Sequence, residues 1–272
     1  MAKPKVLIAG ESWTVHSIHQ KGFDSFTTTE YAEGGGWLKA ALEGAGWEIA
    51  YQPSHVAARE FPSTAKALGA FDCVILSDIG ANTLLLHPDT FVRSKVLPNR
   101  LEAIRDYVAA GGGLVMVGGY LTFQGIEAKA QYAGSAVEEA LPVTLSRFDD
   151  RIECPQGVAP VVRDASHPIV AGLTGKWPGL LGYNRVTPKP GATLVATAGD
   201  DPLIVAGGFG KGRSVAFTSD CGPHWAPPPF VEWQGYVRLW AQIAGWAAGQ
   251  GRAANRARPA QPRRRAGSAK PR

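Results

Sequence analysis

The sequence predicts an α/β fold in which helices cover both faces of a mostly parallel sheet. Apolar runs typical of strands alternate with helical segments through the first half of the chain, joined by short connections. The runs are apolar throughout rather than alternating, as in "FDCVILSD" at 71–78, and this pattern is typical of strands covered on both faces. Together these two observations favour a parallel sheet between two helical layers.

Helical and extended segments follow each other in order from the N-terminus. In the segment at 100–113, Leu101, Ile104 and Val108 fall on one face of a helix, and three glycines then end it. Strands are predicted at 5–10, 47–54, 71–78 and 114–119, and helices at 34–46 and 100–113.

The second half of the chain has a different character from residue 142 onward. Short strand-like pieces punctuated by proline precede two strands, at about 202–207 and 213–218, which the glycine-rich "GFGKG" joins as a hairpin. The spacing does not fit a phosphate-binding loop, because no G-x-x-x-x-G-K-[ST] motif occurs and no helix follows. A closing helix at about 230–249 carries a broad aromatic stripe, which is typical of core packing.

The charge of the chain is divided unevenly between a body and a tail. The formal net charge is +5 over 272 residues, but the sequence from Arg252 onward has eight Lys or Arg and no acid. The preceding residues contain 20 basic and 23 acidic side chains, which argues against a folded nucleic-acid-binding surface. We predict one domain at 1–250 and a disordered basic tail at 251–272, a solubilising extension or, alternatively, a nucleic-acid or membrane-surface contact.

Cysteine usage and hydropathy point to the cytoplasm. The three cysteines, Cys73, Cys154 and Cys221, show no paired spacing, which fits a reducing compartment. The apolar run at 6–10 is too short for a signal-peptide core, and no run approaches the length of a membrane span. We therefore expect a cytoplasmic protein without a membrane partner.

Polar, glycine-punctuated turns follow four of the predicted strands. Ligands of open parallel sheets bind at the carboxyl ends of the strands, so these turns predict a shared crevice for a small polar ligand. Alternatively, the polar residues only begin loops or cap helices, as Ser12 and Asp78 are placed to do. The predicted rim residues are Glu11, Ser12, Asp78, Asn82, Gly119, Tyr120, Gln124, Asp220 and His224.

The turn after the strand "LVMV" is the most distinctive of these four. Gly118 and Gly119 end a buried strand abruptly and present Tyr120, where α/β enzymes hold out a nucleophile. With "GESW", "SDIGANT", "HPIVAGL" and "GRSVAFTSDCGPHW", this stretch resembles the class I glutamine amidotransferase-like superfamily over residues 4–249. The resemblance implies a flavodoxin-like three-layer sandwich, with the hairpin and the closing helix at its C-terminal end.

The resemblance also implies a reaction whose residues this chain lacks. Catalytically active members of the superfamily use a cysteine in the turn after this strand, called the elbow, together with a histidine and an acid. In this chain the position of the cysteine falls at Tyr120 or Gly119. A phenol, whose ordinary pKa is about 10, is a poor nucleophile toward amides at neutral pH. Position 226 is Ala where H-x-E is usual after His224. Glutaminase chemistry by the usual route is therefore not expected.

Three functions remain open from the sequence. The first is the binding or transformation of a small polar metabolite, with Trp13 and Trp225 stacking on a sugar or planar ring. The second is a cysteine hydrolase or amide transferase that uses Cys221 with His224 as base. The third is a structural module whose rim is buried in a homo-oligomer, which eight tryptophans favour.

The segment at 12–33 is too long for an ordinary connection between a strand and a helix. Its polar and aromatic composition predicts a loop that serves as a lid or as a subunit contact. His16 and His19 have an H-x-x-H spacing, but on a loop this spacing fixes no geometry, so we expect no metal site. No motif predicts a cofactor.

Overall fold

The computed structural model describes residues 3–250, so the predicted tail at 251–272 lies outside the described residues. The strands are β1 (Lys5–Gly10), β2 (Ser12–Lys21), β3 (Asp24–Glu33), β4 (Glu48–Gln52), β5 (Cys73–Ser77), β6 (Gly113–Val117), β7 (Val143–Leu145), β8 (Arg151–Val158), β9 (Pro160–Val162), β10 (Leu180–Asn184), β11 (Val186–Pro188), β12 (Thr193–Ala198), β13 (Asp201–Phe209) and β14 (Gly212–Phe217). The helices are α1 (Gly36–Gly44), α2 (Ser54–Glu60), α3 (Ala65–Leu68), α4 (Ala81–Leu85), α5 (Pro88–Arg93), α6 (Arg100–Ala110), α7 (Ala136–Ala140), α8 (Pro228–Val231) and α9 (Tyr236–Ala247), with 3₁₀ turns at Ile126–Ala128 and Pro168–Val170.

An eight-stranded mixed sheet forms the centre of the molecule. Its strand order is β4-β1-β5-β6-β14-β13-β12-β9. The strands from β4 to β14 are parallel, while β13, β12 and β9 continue the sheet in antiparallel pairs. The mostly parallel sheet confirms the predicted α/β fold, and the β13–β14 hairpin confirms the predicted C-terminal hairpin.

Alternate side chains of the parallel strands point into two separate cores, as the period of two in a strand requires. On one face, Val6, Ile8 and Ile75 pack in a core with Leu38 of α1 and Trp240 of α9. On the other face, side chains of the same strands pack with α2, α3, α4, α6 and α7, among them Leu7, Ala9, Val74, Leu76, Ala57, Leu68, Leu84, Ile104 and Val137. These two cores make the three-layer sandwich.

Residues 12–33 form a ribbon rather than the predicted loop. β2 and β3 pair antiparallel over ten register positions, from Ser12 opposite Glu33 to Lys21 opposite Asp24. The side chains of both strands are exposed along almost the whole length. β-Branched and aromatic residues such as those in "SFTTTEY" favour extended backbone, and this preference explains the strand pairing where a loop was expected.

The predicted closing helix is interrupted. It consists of α8 and α9, separated by a turn at Gly235, where a Cβ would lie 2.3 Å from the Trp233 ring. Tyr236, Leu239 and Trp240 of the predicted stripe are buried against the sheet, as core packing requires. Within residues 3–250, no helix has the length and apolar character needed to cross a bilayer.

Candidate ligand-binding crevice

A crevice of about 520 Å³ opens at the carboxyl ends of the parallel strands. It lies beside the neighbouring strands β1 and β5, where the strand order reverses and open α/β sheets leave room for ligands. Turns after β1, β5, β6 and β14 supply most of its lining, as the four polar turns predicted. The lining residues are Glu11, Trp13, Gly34, Asp78, Tyr120, Asp220, Gly222, Pro223 and His224.

Glu11 lies at the floor of this crevice in a left-handed backbone conformation, with φ of 50°. Its amide donates to Ser77 O at 2.8 Å, and its carbonyl accepts from Gly34 N at 2.8 Å and from Tyr51 Oη at 3.1 Å. These bonds hold a conformation that is uncommon for a residue with a side chain. Burial, with the charge of Asp78 as a smaller cause, raises the pKa of Glu11 to about 7.

Asp78 and Asp220 bring two further carboxylates to the crevice. Asp78, with φ of 44°, accepts a hydrogen bond from Leu121 N at 2.8 Å, and burial raises its pKa. Asp220 accepts from Gly222 N at 3.1 Å, and burial, followed by the charge of Glu11, raises its pKa well above the ordinary value. Two of the three floor carboxylates therefore sit on strained backbone, which is typical of functional positions.

In the glycine-bounded turn after β6, the backbone lies very close to Thr218 and to Asp78. A Cβ on Gly118 would lie 2.0 Å from Thr218 O, and one on Gly119, whose φ is 159°, would lie 3.2 Å from Asp78 Oδ1. A side chain at position 118 would collide with the backbone at the end of β14, whereas a Cβ at position 119 would require only a small shift of the Asp78 side chain. The turn therefore holds Asp78 and the end of β14 against the end of β6.

Tyr120, which follows these glycines, forms a side wall of the crevice. Its Oη donates to Glu153 Oε1 at 3.1 Å, and the Arg151 guanidinium lies over its ring at 4.7 Å. Partial burial and then Glu153 raise the pKa of Tyr120, so its phenol stays protonated at neutral pH. Its role at this position is that of a hydrogen-bond donor and an aromatic surface.

His224 and Trp225 continue the aromatic wall beyond Tyr120. The His224 ring meets the Tyr120 ring edge-on, with 4.5 Å between centroids, and stacks near Trp225 at 5.6 Å. Trp225 itself is buried, and its Nε1 donates to Glu153 Oε2 at 3.0 Å. Trp225 thus supports His224 from behind and lies outside the lining, so the predicted stacking of Trp225 on a ligand is wrong.

Cys221 lies beneath the crevice and does not pair with His224. Its Sγ is 3.6 Å from Ser77 Oγ, and Ser77 Oγ in turn donates to Glu11 Oε1 at 2.5 Å. Burial, followed by the charges of Glu11 and Asp220, raises the pKa of the Cys221 thiol well above its usual range. No contact among the described residues joins Cys221 to His224, whose ring is exposed, so the turn does not activate a thiolate.

Gly119 lies outside the lining, and three other predicted rim residues do so because their side chains bond to other parts of the protein. Ser12 Oγ accepts from Ser54 N at 2.7 Å, at the start of α2. Asn82 donates from Nδ2 to Gln131 Oε1 at 3.1 Å, and Gln124 accepts from Ala133 N at 3.2 Å. These contacts agree with the alternative interpretation, in which the polar residues form hydrogen bonds within the protein instead of facing a ligand.

Asn184 and Asp150, a buried polar pair that the sequence did not reveal, hold the turn after β6 in place. Asn184 accepts from Gly119 N at 3.0 Å and donates to Asp150 Oδ1 at 2.8 Å. Asp150 also accepts from Gln124 N and Gly125 N, each at 2.9 Å. Neither residue lies in a recognisable motif, because both come from the irregular second half and reach the turn only through the β8–β10 pair.

Glu11, Asp220 and Cys221 form one compact group of possible metal ligands among the described residues. Their ligand atoms lie within 4.8 Å of one another, and all three side chains are buried. The pKa values of all three are raised, so a cation there would first have to displace protons. His16 and His19 lie on opposite faces of the ribbon, because three residues along a strand reverse the face, and so do not converge.

Comparison with known proteins agrees with this architecture. A family model described as "Putative glutamine amidotransferase" matches residues 5–249. The chain belongs to this glutamine amidotransferase-like family. The resemblance named from the sequence is thus confirmed, while the residue at the elbow remains Tyr120. No curated protein matches the chain.

Two solved structures from Salmonella typhimurium are similar to this glutamine amidotransferase-like chain. Cytoplasmic Protein STM3548 is 43% identical with a TM-score of 0.87, and the match covers 89% of this chain and 98% of that one. Cytoplasmic Protein STM1381, from strain LT2, is 44% identical with a TM-score of 0.87, over 89% of this chain and 99% of the other. These matches show the same fold over nearly the full length of both proteins.

Proposed function

We propose that this glutamine amidotransferase-like protein binds a small molecule bearing hydroxyl groups and an amine in the crevice, without the family's cysteine chemistry. One observation carries the proposal: the buried Glu11 and Asp220 and the half-buried Asp78 converge on a single crevice at the strand ends. Carboxylates accept hydrogen bonds from hydroxyl and ammonium groups and repel anions. The chemistry of the floor therefore favours a cationic or neutral ligand over an acidic one.

The walls of the crevice suit the same class of ligand. The Trp13 side chain is 41% exposed at the mouth, and the Tyr120 and His224 rings lie across from the floor carboxylates. Aromatic faces attract ammonium groups and the C–H faces of sugar rings, and they are worth most where water is excluded. A volume of about 520 Å³ accommodates a molecule of the size of a monosaccharide.

If the bound molecule is also transformed, Glu11 is the residue we assign to proton transfer. Its pKa of about 7 lets it hold or release a proton at neutral pH, which is what a general acid or base needs. Ser77 Oγ fixes the carboxylate through a hydrogen bond of 2.5 Å, and this contact favours one orientation. We expect the protein to act in the cytoplasm, as the names of the two Salmonella proteins suggest for them.

The test is a calorimetric titration with three ligands that share a six-carbon skeleton: glucosamine, glucose and gluconate. Near pH 7.5 the Glu11 carboxyl, whose pKa is about 7, is more than half ionised and the amine of glucosamine is still largely protonated, so glucosamine is expected to bind about tenfold or more tighter than glucose. Gluconate is expected to bind most weakly because its carboxylate faces like charges. Absence of binding by all three ligands, or a preference for gluconate, overturns the proposal.

Two variants localise the binding. Glu11→Gln removes the charge that Glu11 carries above its pKa of about 7 and keeps the shape of the side chain, so it should remove most of the preference for glucosamine over glucose. Glu43→Gln, an exposed charge change on α1 outside the lining, is the matched control and should leave both affinities unchanged. An equal loss of affinity in both variants would place the binding site elsewhere.

A further inference from the structure

The ribbon of β2 and β3 leaves the body of the protein as an exposed two-stranded arm. At its base, Tyr31 meets the His55 ring edge-on, and Lys39 forms an ion pair with Glu33 at 3.3 Å. Beyond that base, both faces meet solvent: Ile18 is 75% exposed and Phe23, at the tip, is fully exposed. A two-stranded hairpin of this kind is marginally stable in water, and three or more strands are needed for independent stability.

The outer edge of β3 has few of the features that usually prevent strand pairing. Its central residues, Phe26 to Tyr31, include an uninterrupted run of three threonines and a single charge, with no proline, lysine or glycine. Such residues favour extended pairing, and an unblocked edge of this length is a template for another strand. β2, in contrast, carries Lys21, His16 and His19, which suit an edge that remains in water.

We propose that two copies of this chain dimerise by pairing the β3 edges of their ribbons antiparallel across a two-fold axis near Thr28. A two-fold axis brings identical strands together in antiparallel sense, so each edge is satisfied by its own counterpart and the assembly closes at two copies. The two ribbons then form one four-stranded sheet. This exceeds the three strands that a free-standing sheet requires.

The register about Thr28 is also compatible in charge. It places Thr27 opposite the partner's Thr29, and Thr pairs across strands are favourable. Phe26 then faces the partner's Glu30, and Asp24 faces the partner's Ala32. No acid of β3 is thus placed directly opposite an acid of the other copy, although β3 carries three acids, Asp24, Glu30 and Glu33.

The experiment introduces one cysteine at a time into the full chain and follows disulfide formation under mild oxidation on a non-reducing gel. Residues directly opposite in an antiparallel pair have Cβ atoms close enough for a disulfide, so Thr28→Cys should link two chains. Ser17→Cys is the matched control, because Ser17 is the register partner of Thr28 on the same face of the ribbon. The native cysteines are all buried and add little background.

The expected result is rapid cross-linking of Thr28→Cys, little or none of Ser17→Cys, and a solution mass of twice 28.8 kDa for the unmodified chain by light scattering. Phe26→Glu, which places an acid opposite the partner's Glu30, should reduce the mass to that of one chain, while Phe91→Glu, an exposed site on α5, should not. A monomeric unmodified chain overturns the proposal. Cross-linking of Ser17→Cys that equals or exceeds that of Thr28→Cys also overturns it.

Discussion

The turn after β6 and the floor made by the turns after β1, β5 and β14 lie side by side in one crevice, but they differ in chemistry. The turn after β6 keeps a tightly packed glycine backbone and ends in Tyr120, a half-exposed wall residue with a protonated phenol. The floor carries Glu11, Asp78 and Asp220 on strained or buried backbone, with raised pKa values. In this chain the carboxyl groups of the crevice lie at the floor, and the elbow packs the ends of β6 and β14 against each other.

The glycine turn and a reactive residue in the crevice are often assumed to occur together, but in this chain they belong to different turns. Gly118 is required by the close approach of the ends of β6 and β14, whatever residue follows the turn. The chemistry depends on which neighbouring turns bring charged side chains into the crevice. A protein of this family can therefore retain the elbow as architecture while its ligand binds against other residues.

The largest effect should come from Gly118→Ala, which tests the architectural role of the elbow. The new Cβ would lie 2.0 Å from Thr218 O and 2.8 Å from Asn184 Oδ1, so the strand ends must separate. We expect a loss of about 3 kcal/mol or more in the free energy of unfolding, measured by urea denaturation. Gly36→Ala, where nothing lies within 4 Å of the new Cβ, should be close to neutral. Equal stability of the two variants would contradict a packed elbow.

The next effect concerns Cys221, which is buried beneath the crevice and does not contact His224. The thiol is fully buried and its pKa is raised well above the usual range, so native protein should resist iodoacetamide. We expect labelling of Cys221 in the native chain to be at least about a hundredfold slower than in the unfolded chain, as measured by mass spectrometry. Labelling of native Cys221 at a rate near that of the unfolded chain would restore the cysteine hypothesis.

A smaller effect should appear in the pH dependence of stability. The pKa of Glu11 rises from 4.5 to about 7 on folding, so the folded chain keeps a proton that the unfolded chain releases. Stability should therefore fall as pH rises through about 7, and Glu11→Gln should remove that loss. We expect the variant to gain on the order of 2 kcal/mol relative to the parent between about pH 5 and pH 8.5. Parallel stability curves for the two proteins would show that Glu11 does not titrate there.

The smallest effect should come from Tyr120→Phe. This variant loses the hydrogen bond to Glu153 Oε1 at the edge of the crevice and keeps the aromatic wall beside His224. Because the site is partly exposed to water, we expect a change of at most about 1 kcal/mol in the free energy of unfolding, measured by urea denaturation. A loss as large as that of Gly118→Ala would mean that the phenol, rather than the glycine backbone, holds the turn.

Much of the fold and part of the crevice followed from the sequence for identifiable reasons. Continuous apolar runs such as 73–77 favour a strand buried on both faces, and the turn that follows a parallel strand lies at the edge of the sheet where ligands bind. This reasoning brought Glu11, Asp78, Asp220 and His224 to one crevice. The ribbon at 12–33 was missed because both of its faces are polar and exposed, so no hydrophobic period marks it.

The supporting contacts could not be predicted because they join distant parts of the chain. Asn184 reaches Gly119 across 65 positions of sequence, and Asp150 reaches Gln124 across 26. Gln124 and Asn82 were expected at the rim, but Gln124 bonds within its own loop and Asn82 bonds to Gln131, 49 positions further along the chain. Short polar motifs do not distinguish a side chain that faces a ligand from one that satisfies its own loop.

The most direct test of the central claim compares the affinity of glucosamine for the Glu11→Gln and Tyr120→Phe variants near pH 7.5 by calorimetry. If the floor binds the ligand, Glu11→Gln should weaken binding about tenfold or more, since a charge-assisted hydrogen bond is lost, and Tyr120→Phe should weaken it by about threefold at most. The opposite order, with the larger loss in Tyr120→Phe, would contradict the account by returning the elbow residue to the centre of the site.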